Sequence, residues 1–204
     1  MSSNENTLPD PKPVSYRPQS RSADEYDARP GKRGYWWLVF VVAAVAVLLD
    51  QLTKWWALAN LTEGVPRPFL GNFITLQLVY NPGAAFSMGQ GSTWIFTVLS
   101  ALVIGILIWY SSRVYSPILA VIVGLLMGGA FGNLIDRLFQ PPGFARGHVV
   151  DFLNYNSWFV GNVADIWIVV AAAALALWLL VQSERSNPKE SANVSVREVG
   201  DKKK

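Results

Sequence analysis

The chain has 204 residues, of which 51% are hydrophobic and 15% are charged, well below the roughly 25% of charged residues usual in soluble domains. Most of the charge precedes Gly34 or follows Val181, which indicates a membrane protein with polar tails. The sequence has no cysteine and one histidine, which excludes disulfides and multi-histidine metal sites. Its net charge is +3, but it lacks the basic patch with interleaved aromatic residues that is typical of a nucleic-acid-binding protein.

The first residues of the chain, 1–33, are rich in Ser, Pro, Asp, Glu and Arg and poor in large apolar residues. This composition predicts a disordered tail, and residues 183–204 predict a second one. No apolar core lies near the N-terminus, so the tail does not resemble a cleavable signal peptide. We therefore expect one membrane domain over residues 34–182 between two disordered cytoplasmic tails.

Four apolar segments follow between the tails, at about residues 35–58, 94–110, 114–138 and 162–181. A helix that crosses a bilayer needs about 20 mostly apolar residues. The first and third segments meet this length easily, the second is short but within range, and the fourth is free of charge from Ile166 to Val181. A buried helix of a soluble protein would explain one such segment but not all of them. The predicted fold class is an all-α membrane protein with four transmembrane helices.

The Lys and Arg residues beside these segments predict their orientation. They precede the first segment and follow the fourth, and Arg113 lies in the tight turn between the second and third. Because cytoplasmic flanks carry an excess of Lys and Arg, we expect cytoplasmic termini and extracytoplasmic loops at residues 59–93 and 139–161. The β-prone stretch Phe73–Tyr80 predicts a small extracytoplasmic β-rich subdomain between the first and second helices.

Two charged residues lie inside the first predicted helix. Asp50 and Lys54 are four residues apart, with the acid on the N-terminal side, which is the favourable order for an ion pair on a helix. A charge at mid-bilayer costs about 2.5–3.5 kcal/mol, so charged residues in a span are candidates for function. The two residues are either a neutralised pair that tolerates burial or a support for an active site.

The third predicted helix ends in GGAFGNLIDR, residues 128–137. Three of its residues share one face at a spacing of four: Gly129, Asn133 and Arg137. Gly128 and Gly132 suit tight helix packing, and Asp136 could pair with Arg137 at the interface. Neither feature explains Asn133, which needs a buried hydrogen-bond partner in a membrane. Arg137 could hold a carboxylate, a phosphate headgroup or a substrate carbonyl.

Two further aspartates lie on either side of the end of the second predicted loop. Asp151 lies between apolar residues, and Asp165 lies at the mouth of the fourth helix, three residues after Asn162. If the loop folds back, the two carboxyls meet, and because both cannot ionise easily, the pair shares a proton. Such a pair supplies a base that activates water and an acid that protonates a leaving nitrogen. For Asp165 alone, a favourable charge at a helix N-terminus is an equally good explanation.

Five blocks of the sequence resemble, in order, the signature blocks of the lipoprotein signal peptidase (signal peptidase II) family: DQLTKWW at 50–56, NPGAAFS at 81–87, GGAFGNLIDR at 128–137, VVDF at 149–152 and NVAD at 162–165. The resemblance covers about residues 35–182, so the long N-terminal tail lies outside it. One departure is visible, since the family usually has Phe before the Asn of its last block and this chain has Gly161.

The resemblance implies a four-helix inner-membrane aspartyl protease that cuts prolipoproteins immediately before the lipid-modified cysteine. It implies Asp151 and Asp165 as the catalytic pair, with no metal or organic cofactor. It also implies a set of substrate-contacting or site-organising residues, Asn81, Gly129, Asn133, Arg137 and Asn162, and structural support from Asp50, Lys54 and Asp136. The expected partners are lipid-modified prolipoproteins and membrane lipids, and the expected location is the bacterial plasma membrane, where a monomer has its active site at the outer face.

Three other functions stay open on the sequence. Ser87 and Lys54 could form a Ser–Lys protease pair, although this leaves both late aspartates without a role. Intramembrane Asp, Asn and Arg also mark proton-coupled transporters, although four spans without a repeat or a broken-helix pair make a poor transporter. A non-catalytic lipid-binding scaffold is the third, and its function would survive loss of either aspartate.

Overall fold

Four long helices form most of the chain that the computed structural model describes, which is residues 34–83 and 93–186. They are α1 (Trp36–Asn60), α2 (Thr93–Ser111), α3 (Pro117–Phe139) and α4 (Val163–Ser186). All four are long and apolar enough to cross a membrane, as the sequence predicted. In the most apolar stretch of α3, 56% of the residues are buried, against 22% or less in the other three helices. α3 therefore lies at the centre of the bundle, and the other helices expose apolar surfaces that suit contact with lipid.

One predicted boundary changes. α4 continues to Ser186, so the first residues of the predicted C-terminal tail are helical. Helical hydrogen bonds extend readily into polar residues such as Gln182 and Glu184, because these favour helices once a long apolar helix precedes them. The predicted tails at residues 1–33 and 187–204 and residues 84–87 of the NPGAAFS block lie outside the described residues.

Glycines of α3 allow this helix to approach α1 closely. A Cβ atom added to Gly124 would lie 2.7 Å from the Cβ of Val42, and one added to Gly128 would lie 2.6 Å from the Cβ of Ala46. A Cβ at Gly132 would collide with the carboxylate of Asp50. The three glycines are four residues apart, so they form a continuous seam. The predicted packing role of Gly128 and Gly132 is confirmed.

A four-stranded antiparallel sheet joins the ends of α1 and α3 to the starts of α2 and α4. Its strands are β1 (Arg67–Phe69), β2 (Gly71–Asn81), β3 (Val149–Tyr155) and β4 (Phe159–Gly161), which neighbour one another in that order. β2 contains the predicted strand, but the prediction that the sheet belongs to the α1–α2 connection was incomplete. Two strands come from the α3–α4 connection, where the β-branched and aromatic residues of VVDFLNY favour a strand.

The sheet packs against the C-terminal end of α1 through a small apolar cluster: Ala57, Leu61, Leu78, Val150 and Phe152. β2 and β3 pair antiparallel from Ile74 opposite Tyr155 to Asn81 opposite Val149. This register places Asn81, the last residue of β2, beside Asp151, near the start of β3. The sheet is therefore the element that carries one half of the predicted site to the other half.

Candidate active site

A reciprocal cap at the start of α4 positions Asp165. The side-chain oxygen of Asn162 accepts a hydrogen bond from the Asp165 backbone N–H (3.0 Å), and the Asp165 carboxylate accepts one from the Asn162 backbone N–H (3.0 Å). This is the capping-box arrangement, in which two otherwise unsatisfied N–H groups at a helix start are paired. The block NVAD therefore both begins the helix and fixes the orientation of the Asp165 side chain.

Asp151 lies on β3, where it is 2% exposed. One of its carboxylate oxygens accepts a hydrogen bond from the side-chain amide of Asn162 (2.7 Å), and the other accepts one from the side-chain amide of Asn81 (2.9 Å). Asn162 therefore bonds to both aspartates, through its backbone N–H on one side and its side chain on the other. The structure therefore brings Asp151 and Asp165 to either side of Asn162, with the loop folded back as the prediction required.

Asn133 of α3 completes this network. Its side-chain amide donates to the Asp165 carboxylate (3.0 Å), and its side-chain oxygen accepts from the amide of Asn162 (3.1 Å). The sequence required a buried partner for Asn133, and the structure supplies partners on α4. Among the described residues no Lys or Arg forms a salt bridge with either Asp151 or Asp165, and the ion pairs of Lys54 go to Asp50 and Asp136 instead. The two carboxylates are therefore held by neutral amides.

The two aspartates line one cavity of about 160 Å³, together with Asn81, Asn133 and Arg137. Burial, as the largest cause, and the negative charge of Asp165 together raise the pKa of the Asp151 carboxyl to about 7, while the amides of Asn81 and Asn162 oppose the shift. A carboxyl with a pKa of about 7 holds a proton for much of the time at neutral pH. The cavity can therefore contain one protonated and one ionised carboxyl, the arrangement that acid–base hydrolysis needs.

Behind the cavity lies a buried ion triad that consists of Asp50, Lys54 and Asp136, which are 0%, 2% and 1% exposed. The Lys54 ammonium lies 2.8 Å from the Asp50 carboxylate and 2.7 Å from that of Asp136, and it donates to the side-chain oxygen of Asn133 (3.0 Å). The predicted Asp50–Lys54 pair is confirmed. The suggested pairing of Asp136 with Arg137 was wrong, because consecutive helix residues point in different directions and Asp136 faces α1.

The ion triad also holds the backbone beside each aspartate. The Asp136 carboxylate accepts a hydrogen bond from the N–H of Val150 (3.1 Å), which precedes Asp151. The Asp50 carboxylate accepts one from the N–H of Ala164 (2.9 Å), which precedes Asp165. The two acids of the triad therefore fix β3 and the start of α4 relative to α1 and α3.

Arg137 reaches the cavity from the end of α3. One guanidinium nitrogen, Nη2, donates to the Gly83 carbonyl (2.7 Å), and the guanidinium lies over the ring of Phe96 at 5.3 Å. The other nitrogen, Nη1, is buried and has no hydrogen-bond partner within residues 34–83 and 93–186. A buried guanidinium N–H without a partner is costly. Within the described part of the chain, Arg137 therefore has an unmatched N–H donor and lines the same cavity as the two aspartates.

Gly129 does not line the cavity. A Cβ at Gly129 would lie 2.6 Å from the carbonyl oxygen of Ala164 and 2.7 Å from the Ile168 side chain. The glycine therefore lets α3 approach the first turn of α4, which makes it site-organising by packing alone.

Gln51, a residue that the sequence did not single out, donates hydrogen bonds to both acids of the ion triad, Asp50 (3.2 Å) and Asp136 (3.2 Å). Its signal was a polar side chain within an apolar span.

Two alternatives for the site can be compared with this geometry. Ser87 lies outside the described residues, and Lys54 has its three N–H donors matched by Asp50, Asp136 and Asn133, which leaves none for a serine. In the part of the chain that the structure describes, no group of three His, Asp or Glu side chains is placed to hold a metal ion.

Comparisons with known proteins place the chain in a family. The family model described as signal peptidase (SPase) II matches residues 42–181. A lipoprotein signal peptidase of Leifsonia xyli subsp. xyli (strain CTCB07) is 43% identical over 80% of this chain and 77% of its own length. One of Mycobacterium avium (strain 104) is 46% identical over 69% of this chain and 77% of its own. A solved bacterial membrane enzyme superposes with a TM-score of 0.65 at 26% identity, over 74% of this chain and 92% of that one. The chain belongs to the signal peptidase II family.

Proposed function

We propose that this chain is an aspartic endopeptidase that removes the signal peptide from lipid-modified prolipoproteins and cuts just before the lipidated cysteine. Family membership supports the protease activity and the prolipoprotein substrate. The single observation that supports the aspartic mechanism is the buried pair Asp151 and Asp165, linked through Asn162 in one cavity. Every group named for this reaction comes from one chain, so a monomer suffices.

In the proposed reaction the pair enters with one proton between its two carboxyls. The ionised carboxylate accepts a proton from a water molecule while the water oxygen bonds to the scissile carbonyl carbon. The protonated carboxyl then supplies the proton that the leaving nitrogen takes as the carbon–nitrogen bond breaks. The products are a signal peptide with a new carboxylate and a lipoprotein with a free amino group on its lipid-modified cysteine.

Arg137 has a place in this reaction. Negative charge develops on the scissile carbonyl oxygen when water adds, and a donor aimed at that oxygen stabilises the transition state more than the ground state. The Nη1 of Arg137 is such a donor, since it is buried and has no hydrogen-bond partner among the described residues, and Arg137 lines the cavity of the pair. The contact of Nη2 with Gly83 keeps the guanidinium in this orientation.

The position of the pair along the helices suits the substrate. Asp165 is in the first turn of α4 and Asp151 is on the adjoining sheet, so the cavity lies where apolar helices give way to strands. A signal peptide is an apolar helix in the bilayer, and the lipid on the cysteine keeps the cleavage point at the membrane boundary. With the termini cytoplasmic, as the flanking Lys and Arg residues favour, this boundary is the outer face of the plasma membrane.

Asp151→Asn and Asp165→Asn test the proposal. Purified variants are incubated with a lipidated prolipoprotein and with an unlipidated control, and cleavage is read by mass. Asparagine keeps the shape and much of the hydrogen bonding but cannot exchange the proton, so each variant should bind substrate without cutting it. Because the pair acts as a unit, the double variant should be little worse than either single variant.

Glu63→Gln is the matched control, since it neutralises an exposed carboxylate on the same loop as Asn81 and should cleave normally. If either aspartate variant keeps more than about a tenth of wild-type activity, a change of only ~1.4 kcal/mol in the barrier, the aspartic mechanism is wrong. A wild-type protein that binds the lipidated substrate and never cleaves it would instead support a scaffold or a transporter.

A further inference from the structure

The turn that joins β1 to β2 carries three large apolar side chains on its outside. Phe69, Leu70 and Phe73 are 59%, 59% and 69% exposed, and we call these three residues the hairpin tip. Gly71 has a positive φ of 56°, which lets the chain reverse directly after Leu70, and the N–H of Phe73 bonds to the Leu70 carbonyl (3.3 Å). Turns in water are normally built from polar residues. A contiguous exposed apolar group of this kind marks a surface that contacts something other than water.

The far end of the sheet, where the hairpin tip begins, borders an outer surface of α4. Ile74, the residue after the tip, lies opposite Tyr155 of β3, and Tyr155 stacks on Phe159 with ring centroids 6.1 Å apart. Both rings line an apolar cavity together with Val169 and Val170 of α4. These two valines are 66% and 49% exposed on a helix that is apolar enough to cross a membrane. The hairpin tip is therefore continuous, through one strand pair, with a surface that suits contact with lipid.

The strand beside the tip is poorly suited to pairing with another protein chain. β1 is the edge strand of the sheet, and an exposed edge is usually a template for a further strand. Pro66 and Pro68 lie directly before and within β1, and neither has an N–H group to offer a partner strand. The same two prolines leave fewer unpaired N–H donors to bring near acyl chains. A lipid surface therefore fits this edge better than a second strand does.

We propose that the hairpin tip inserts its side chains into the boundary between headgroups and acyl chains, in the leaflet that borders the sheet. The backbone of the turn stays at the interface, where water and headgroups satisfy its polar groups. β2 is one strand from Gly71 to Asn81, and Asn81 donates to the Asp151 carboxylate (2.9 Å). Contact of the tip with lipid therefore bears on the height of Asp151 above the bilayer. This membrane contact does not depend on the proposed peptidase activity.

Single cysteines at Phe69 and Phe73 test the inference, since the chain has no cysteine of its own. Each variant is labelled with the environment-sensitive fluorophore NBD and reconstituted into vesicles of phosphatidylcholine and phosphatidylglycerol. The emission of both labels should shift to shorter wavelength than in water, and nitroxides attached to the lipid acyl chains should quench it. The matched control is Glu63→Cys, an exposed position on the same α1–α2 connection whose native charge favours water. Its label should emit as in water and escape quenching.

Two results would overturn the inference. One is emission as in water from the labels at both tip positions. The other is emission shifted as in an apolar environment without quenching by the acyl-chain nitroxides, because protein, such as a second copy of this chain, would then cover the tip. Both variants remove only exposed side chains, so their thermal transitions in detergent should match that of the wild type. If one of them folds poorly, Leu70→Cys takes its place with the same expected result.

Discussion

Replacing Lys54 by methionine tests whether the ion triad holds the active site together. Methionine keeps a flexible unbranched side chain and removes the charge. The change leaves Asp50 and Asp136 buried side by side, 0% and 1% exposed, without a cation between them. It also removes the donor to the side-chain oxygen of Asn133, which bonds to Asp165.

The size of the effect follows from the contacts that are lost. Lys54 forms two buried ion pairs, at 2.8 and 2.7 Å. Removing one partner of a buried pair typically costs 3–5 kcal/mol, so we expect a loss of about 3–5 kcal/mol in the free energy of unfolding. For a chain of this size 1 kcal/mol corresponds to about 2–4 °C, which predicts a melting temperature lower by roughly 6–20 °C.

The assay is thermal unfolding of the purified protein in detergent, followed by tryptophan fluorescence, with cleavage measured below the transition. The control is Asp50→Asn/Lys54→Met/Asp136→Asn, which removes all three charges and should recover much of the loss, because no buried charge is left unpaired. A Lys54→Met protein that melts within about 2 °C of the wild type would refute the reasoning, since this corresponds to ~1 kcal/mol or less. Full recovery of activity in the triple variant would show that the triad contributes stability without positioning the pair.

Three other predictions concern the site and its orientation. Below its pKa of about 7, Asp151 holds a proton, and above this pKa the pair loses that proton and carries two negative charges. The value of kcat/KM should therefore fall as pH rises through about 7, and a profile that stays flat to about pH 9 would contradict this. Arg137→Ala should lower kcat by about 10²–10³-fold, the usual effect of losing one oxyanion donor. Arg146→Ala, which removes an exposed cation from the connection that follows α3, should cleave normally. A cysteine placed at Gln140 in this cysteine-free chain should react with an impermeant label outside intact cells, and a cysteine at Ser191 should not.

The helices were predictable from the sequence because the signal for a membrane span is local: about 20 apolar residues in a row. The aspartates and Asn133 were predictable for a related reason, since polar groups stand out against an apolar segment and require a partner. The reciprocal bonds between Asn162 and Asp165 follow from their three-residue spacing at a helix start.

The remaining features depend on contacts between distant parts of the chain. The sequence of β2 alone does not predict that Asn81 lies opposite Val149, because the register of a strand depends on the strand it pairs with. The ion pair of Lys54 with Asp136, at 2.7 Å, could not be predicted either, because it depends on the close approach of α3 to α1. The place of Phe159 over Gly161 was also hidden, because the sequence showed a missing side chain at Gly161 but not the neighbour that covers it.

The ion triad also bears on how the chain enters the membrane during its synthesis. Asp50 and Lys54 lie one turn apart on the same helix, so their bond can form as soon as α1 exists, before α3 has been made. A neutralised pair costs less to place in lipid than two separate charges, which allows α1 to insert on its own. Asp136 arrives later, and its carboxylate meets an ammonium that is already in place. The helices are therefore synthesised in the same order in which the buried ion pairs can form.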